Sequence, residues 1–230
     1  MDKHTVSIRI NKYLAQKNLA TRRGADELIE KGLVYVNGVR AKLGAKVQES
    51  DRVEVRGKKQ SYVYYAYNKP VGVITHSPQR GEKDVKTAVK LSDVFPIGRL
   101  DKASHGLLVL TNDGRITDKM LNPDRAHEKE YIVTTTAKLR PSFKKFMEAG
   151  VEIGEYRTKK CKVQVLDDYT FRIVLTEGKK HQIRRMCEAM HNGVKDLQRV
   201  RIMNIKIGSL ADNAYRELAG EELQTFLRNL

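Results

Sequence analysis

"FPIGRLDKASHGLLVLTNDGR" (residues 95–115) sets one carboxylate, Asp101, between Arg99 and Lys102, a few residues after Gly98. The run that follows, "GLLVLTNDG", is continuously apolar and closes on turn-forming residues, the pattern of a strand buried on both faces. Reactive side chains are often held on such loop tips, carried by a rigid element. From spacing alone Asp101 reads equally as a nucleophile or base and as a structural carboxylate paired with Arg99.

Outward from this stretch, strands outnumber helices. "YVYYAYNKPVGVI" (62–74) is β-rich and interrupted by Pro70 and Gly72, and "EKEYIVTT" (128–135) is a second strand. "CKVQV" and "FRIVLTEG", separated by "LDDYT", read as a hairpin, and "RVRIMNIKI" as a late strand. "PSFKKFMEAG" brings Phe143, Phe146 and Met147 to one helical face. "KKHQIRRMCEAM" (179–190) is a helix with an apolar stripe of Ile183, Met186, Cys187 and Met190, and "AGEELQTFLRNL" a terminal one. Short turns between neighbouring strands predict an α+β domain with a largely antiparallel mixed sheet.

The first 60 residues differ in character. They carry a net charge of +7 against +9 for the remaining 170, and end in the polar stretch "VRGKKQS", which suits a linker. The expected boundary lies near residue 60, giving segments 1–60 and 61–230. "RINKYLAQKNL" and "ATRRGADELIEKG" read as two helices, with Thr21 as N-cap and Gly32 as stop. "LVYVNGVRA" carries the Asn37-Gly38 hairpin signal, and "DRVEV" closes a small sheet. Arg22 and Arg23 occupy a helical first turn, where the macrodipole disfavours cations by some tenths of a kcal/mol. They are either solvated or gathered, with the helix N-terminus, around a phosphate.

Composition narrows the function. A formal charge of +16 and a pI near 9.8 point to a polyanion, and nucleic acid fits better than a membrane because no basic amphipathic terminal helix is visible. No apolar run approaches the roughly 18 residues of a membrane span, and the start has no leader-like block. Cys161 and Cys187 lack CxxC spacing and read as buried reduced thiols, which places the chain in the cytoplasm. There is no phosphate loop, no GxGxxG and no GxSxG. His127 with Glu128 and Glu130 is the nearest approach to a metal cluster, and its alternation fits a strand face better, so no metal is expected.

Two resemblances sharpen this. Residues 7–55, through "RINKYLA", "ATRRGADELIEKGLVYVNG" and "DRVEV", resemble the small RNA-binding module of the ribosomal-protein S-four type. The resemblance implies that Lys12, Arg22, Arg23, Lys31 and Asn37 face RNA. "GRLDKASHGLLVLTNDG" resembles the signature loop of the pseudouridine synthases. "NKPVGV", "HEKEY" and "EGKKHQIRRM" stand around it in the expected order, as in the RsuA family of ribosomal-RNA enzymes and its branch acting on 23S large-subunit rRNA. The resemblance implies that Asp101 acts on the target uridine, that Tyr131 stacks on the base, and that Arg184 pairs with the aspartate. Some relatives carry Lys at the last position, which implies that charge there matters more than the guanidinium fork. Arg99, Lys179, Lys180 and Arg185 are expected to meet RNA. The isomerisation adds and loses no atoms, so no cofactor is implied. Ribosomal RNA is the implied partner, tRNA a second one, and a monomer the implied state. The competing class is a non-catalytic RNA-binding ribosome-assembly factor, with a hydrolase using Asp101 and His105 more distant.

Overall fold

A computed structural model describes residues 7–17, 19–57 and 61–230. Residues 58–60 of the expected linker, and 1–6 of the segment read for a leader, lie outside the described residues. The chain divides into two compact units, one reaching to Tyr62 and including Asp113–Thr117, the other comprising Val63–Asn112 and Asp118–Leu230.

The first unit runs β1 (Ile8–Arg9), α1 (Ile10–Gln16), α2 (Arg22–Glu30), β2 (Val34–Val36), β3 (Val39–Arg40), β4 (Lys46–Val47) and β5 (Val53–Val55). Ile10 and Leu14 of α1 and Ala25 and Ile29 of α2 recur at helical spacing and meet Val34 and Val47 in a small core. The Thr21 hydroxyl accepts the Gly24 N–H (3.0 Å), which caps α2 where the sequence places its start. Asn37 and Gly38 both take positive φ, 51° and 83°, as a two-residue hairpin turn between β2 and β3 requires.

The second unit continues with β6 (Tyr64–Lys69), α3 (Val85–Ala88), β7 (Phe95–Ile97), β8 (His105–Thr111), α4 (Thr117–Leu121), β9 (Lys129–Thr135) and α5 (Phe143–Ala149). Then come β10 (Glu152–Ile153), β11 (Tyr156–Arg157), β12 (Lys162–Val165), β13 (Thr170–Leu175), α6 (Gln182–Ala189), β14 (Val194–Ile202), β15 (Ile205–Lys206), β16 (Tyr215–Glu217) and α7 (Gly220–Arg228). Nine strands form one sheet in the order β12-β13-β9-β14-β8-β6-β16, with β7 added to β8 and β15 to β14. Every pairing is antiparallel except β14 with β8. The unit is therefore α+β with a mixed, largely antiparallel sheet.

Leu107, Leu108, Val109 and Leu110 of β8 are all buried, each such side chain contributing roughly 1.5–3 kcal/mol. Phe143 and Met147 pack α5 onto the sheet and Ile183, Met186 and Cys187 pack α6. Phe146, expected on the same face, is exposed instead, because a seven-residue helix lying on a sheet buries only a narrow stripe.

One transverse row of this sheet positions the site. Ile173 pairs with Tyr131, Tyr131 with Arg199, Arg199 with Gly106, and Gly106 with Lys69. Residues directly opposite across a sheet share a face, so these side chains lie side by side. Gly106 keeps the row close: at φ 105°, a Cβ there would come within 2.3 Å of the Arg199 carbonyl.

Candidate functional site

Asp101 lies on the loop between β7 and β8, and that loop is fastened residue by residue. The Arg99 carbonyl accepts from Arg199 Nη1 (3.4 Å). Thr75 Oγ1 donates to the Leu100 carbonyl (2.7 Å) and accepts from its N–H (3.0 Å). The Gly72 N–H donates to the Lys102 carbonyl (2.8 Å), and the Ser104 N–H closes a turn onto the Asp101 carbonyl (3.0 Å). Arg184 Nη2 donates to the Ala103 carbonyl (2.9 Å) and the Ser104 hydroxyl (3.2 Å), while its Nη1 reaches the Val194 carbonyl (3.3 Å). The backbone is thus held while the Asp101 side chain stays 39 % exposed.

Arg184 accordingly departs from the expected geometry. Among the described residues no ion pair joins it to Asp101, since its donors are committed to the carbonyls and hydroxyl that shape the loop. The side chain facing the carboxylate is His181, with Nε2 3.4 Å from Asp101 Oδ1. Sequence reasoning absorbed His181 into the helix, but α6 begins one residue later and His181 takes a left-handed backbone, φ 51° and ψ 31°. No sequence pattern announces that conformation in a histidine. Its surroundings have a visible signature: Glu177 is a lone acid before "GKKHQIRR", as Asp101 is among its bases.

Beneath the loop lies a cationic floor. Lys69 is 0 % exposed and donates to the carbonyls of Pro70 (2.9 Å) and Val73 (2.7 Å). Burial pulls its pKa down to about 8; Asp101 pulls the other way and Arg199 adds to the depression. Arg199, 3 % exposed, donates through Nε to the Leu107 carbonyl (2.7 Å) and leaves Nη2 buried without a hydrogen-bond partner. Neither cation has a carboxylate within ion-pairing distance among the described residues. Tyr131 adjoins Arg199 in the sheet row and is 9 % exposed, so a base stacking on it must reach down to the sheet.

The remaining expected contacts divide. Lys12, Arg22, Arg23, Lys31, Arg99, Lys179 and Lys180 are exposed and available to a polyanion. Lys179 Nζ lies over the Tyr156 ring, 4.2 Å from its centroid. Asn37 is exposed too, but its amide donates to Asp51 (2.8 Å) and accepts from the Arg52 N–H (2.9 Å), so it builds the hairpin. Arg185, expected at RNA, is half-buried and donates to the Ile153 carbonyl, bracing α6 against the β10–β11 hairpin. His127 Nε2 donates to the Lys119 carbonyl (3.1 Å), while Glu128 and Glu130 pair with Arg201 at 2.9 and 2.7 Å. No cluster of three metal-ligating side chains occurs among the described residues.

A carboxylate on a fixed backbone, open to solvent and flanked by cations, suits attack on or proton removal from an electrophilic sugar. Comparison with known proteins agrees with that chemistry. The profile of the RNA pseudouridylate synthase family matches residues 63–189, and that of the S4 domain residues 8–53. The dual-specificity RNA pseudouridine synthase RluF of Escherichia coli (strain K12) is 42 % identical over 225 residues, 94 % of this chain and 77 % of that protein. Ribosomal large subunit pseudouridine synthase B of Bacillus subtilis (strain 168) is 34 % identical over 229 residues, covering 94 % of each. A solved structure described as a pseudouridylate synthase superposes with a TM-score of 0.70 at 26 % identity, covering 97 % of this chain and 99 % of that one. With more than half its length under one profile, and a 42 % identical relative matched along nearly all of it, the chain belongs to the RNA pseudouridylate synthase family.

Proposed function

We propose that the protein isomerises uridine to pseudouridine in ribosomal RNA, with 23S large-subunit rRNA as the main substrate and Asp101 as the reactive group. The observation that carries this is the Asp101 carboxylate itself, accessible on a backbone fixed on both sides, within a chain of this family. The name of the Bacillus subtilis large-subunit relative supports ribosomal RNA as the substrate class, and the dual specificity in the name of RluF supports a second RNA, for which tRNA is the candidate. The protein acts as a cytoplasmic monomer of two modules: residues 1–60 bind RNA, through Arg22 and Arg23 above all, and residues 61–230 carry the chemistry.

The reaction breaks the bond from ribose C1′ to N1, turns the uracil, and joins C1′ to C5. The hydrogen leaves C5 and one is gained at N1, so atoms balance without a cofactor. An ionised Asp101 either attacks C1′ or removes a ribose proton to release the base. Tyr131 offers its ring to the uracil, with stacking worth roughly 1–3 kcal/mol. Extruding the nucleotide costs a few kcal/mol, which phosphate contacts to Lys179, Lys180 and Arg99 offset. The test is to map pseudouridine in rRNA from cells whose only copy carries Asp101→Asn. Loss at one or more sites is expected, and an unchanged map would overturn the assignment.

A further inference from the structure

We propose that His181 is a positioning residue for the reaction: its imidazolium, held against Asp101, is the counter-charge that keeps the carboxylate ionised once RNA has displaced water from the site. This rests on the reading of Asp101 as the reactive group.

Geometry carries the inference. Among the described residues His181 is the one side chain within ion-pairing distance of Asp101, at 3.4 Å, and both are accessible to an incoming nucleotide, at 50 % and 39 % exposure. The arginine expected to fill that role is committed to Ala103, Ser104 and Val194. His181 also occupies a left-handed backbone conformation that non-glycine residues adopt only at a cost. Its ring makes no capping bond to α6, so helix formation does not explain the conformation.

What holds it there is a buried lock. Glu177, on the segment leaving β13, accepts from Gln182 Nε2 (2.7 Å), the Lys159 N–H (3.0 Å) and the Tyr156 hydroxyl. Gln182 Oε1 in turn accepts the Lys179 N–H (2.9 Å), and the Gln182 N–H returns to the Lys179 carbonyl (3.1 Å). The turn 179–182 is closed twice, and His181 projects from it toward Asp101.

The physics explains why a counter-charge is needed only in the complex. In the free protein the half-exposed carboxylate keeps its contact with solvent water. A docked nucleotide expels that water, and desolvation then disfavours the charge unless a cation stays within about 4 Å. Several other charged groups near the pair have commitments of their own, and Arg99 is exposed. Lys69 and Arg199 lie below the loop, from β6 and β14, and Arg184 on α6 serves its backbone. Lys102 is paired with Glu82 at 2.8 Å, Lys179 sits on Tyr156, and Lys180 is the chain neighbour of His181. Lys69, neutral above about 8, should lower the rate at higher pH.

The test measures single-turnover tritium release from an rRNA fragment labelled at uracil C5. It compares wild type, His181→Gln, His181→Lys and Asp101→Asn, each with its RNA affinity and melting curve. His181→Gln should fold and bind RNA as wild type does and react about tenfold more slowly. His181→Lys should recover most of the rate. A His181→Gln protein with the wild-type rate would overturn the inference. So would one that loses only RNA affinity, which would assign His181 to RNA binding. An active Asp101→Asn protein would bring down the reading of Asp101; an inactive one beside an unaltered His181→Gln would bring down the role of His181 alone.

Discussion

Lys69 carries its amine where burial disfavours the charge. Its folded pKa of about 8 lies below the ordinary value of 10.5, because burial disfavours the charge more than Asp101 restores it. The unfolded chain therefore binds more protons than the folded one between about 8 and 10.5, and stability gains from this residue as pH rises across that window. Below it the full penalty stands, of order 3 kcal/mol. Lys69→Met removes the penalty together with the bonds to Pro70 and Val73. Urea titrations at pH 7 and 10 should show wild type gaining about 2–3 kcal/mol on the variant between the two. Parallel behaviour would mean that burial does not depress the Lys69 pKa. The neighbouring glycine gives a sharper steric case. A Cβ at Gly106 meets the Arg199 backbone at 2.3 Å, on the strand pair that alone in the sheet runs parallel, and φ 105° suits no L side chain. Gly106→Ala should cost more than about 4 kcal/mol or prevent folding, read from the urea midpoint or the soluble yield.

At the scale of elements, the Asp101 loop owes its shape to partners distant in sequence, and this divides what the sequence discloses from what it conceals. The buried strand β8, the hairpin at β12–β13 and the apolar stripe of α6 are written in local periodicity and turn residues, and they fold where that periodicity places them. Asp101 is legible for a similar reason, as an acid among bases beside a buried strand. Thr75 lies 25 residues from the backbone it clamps and carries no periodic signal. His181 is hidden by a backbone conformation that its identity does not demand. Arg184 is legible as an important cation, yet its geometry gives it a different task. Charge alone predicts that Lys should replace it; three acceptors in different directions require the planar fork. Arg184→Lys should therefore lower the single-turnover rate nearly as far as Arg184→Met, by at least about a hundredfold. Recovery by Lys to within a few fold would favour direct charge pairing with Asp101. Thr75→Val, close to isosteric, removes both bonds to Leu100. It should reduce the rate about tenfold for a stability loss of only about 1–2 kcal/mol, seen by comparing turnover with the thermal midpoint.

For the whole molecule, net charge and the division of labour are tied together. The excess of positive charge was readable from composition, but which cations are free for RNA was not, because arginine serves carbonyls as readily as phosphates. Arg185, Arg199 and Arg184 are turned inward, whereas Arg22 and Arg23 stand exposed in the first turn of α2, beside the Thr21 cap. A cation at a helix N-terminus works against the dipole, so removing one should leave the fold unharmed or slightly more stable, by some tenths of a kcal/mol. A phosphate contact works the other way, adding about 0.7 to 0.9 to the slope of log affinity against log salt. Arg22→Ala with Arg23→Ala should then weaken rRNA binding while lowering that slope by between about 1 and 2, with the single-turnover rate at saturating protein unchanged. Filter binding across a salt series, beside a melting curve, reads both quantities. A weaker affinity at an unaltered slope would say that the two arginines shape the module rather than neutralise RNA. A reduced rate at saturation would say that the first unit takes part in placing the uridine over Asp101, so affinity and chemistry would no longer divide between the two segments.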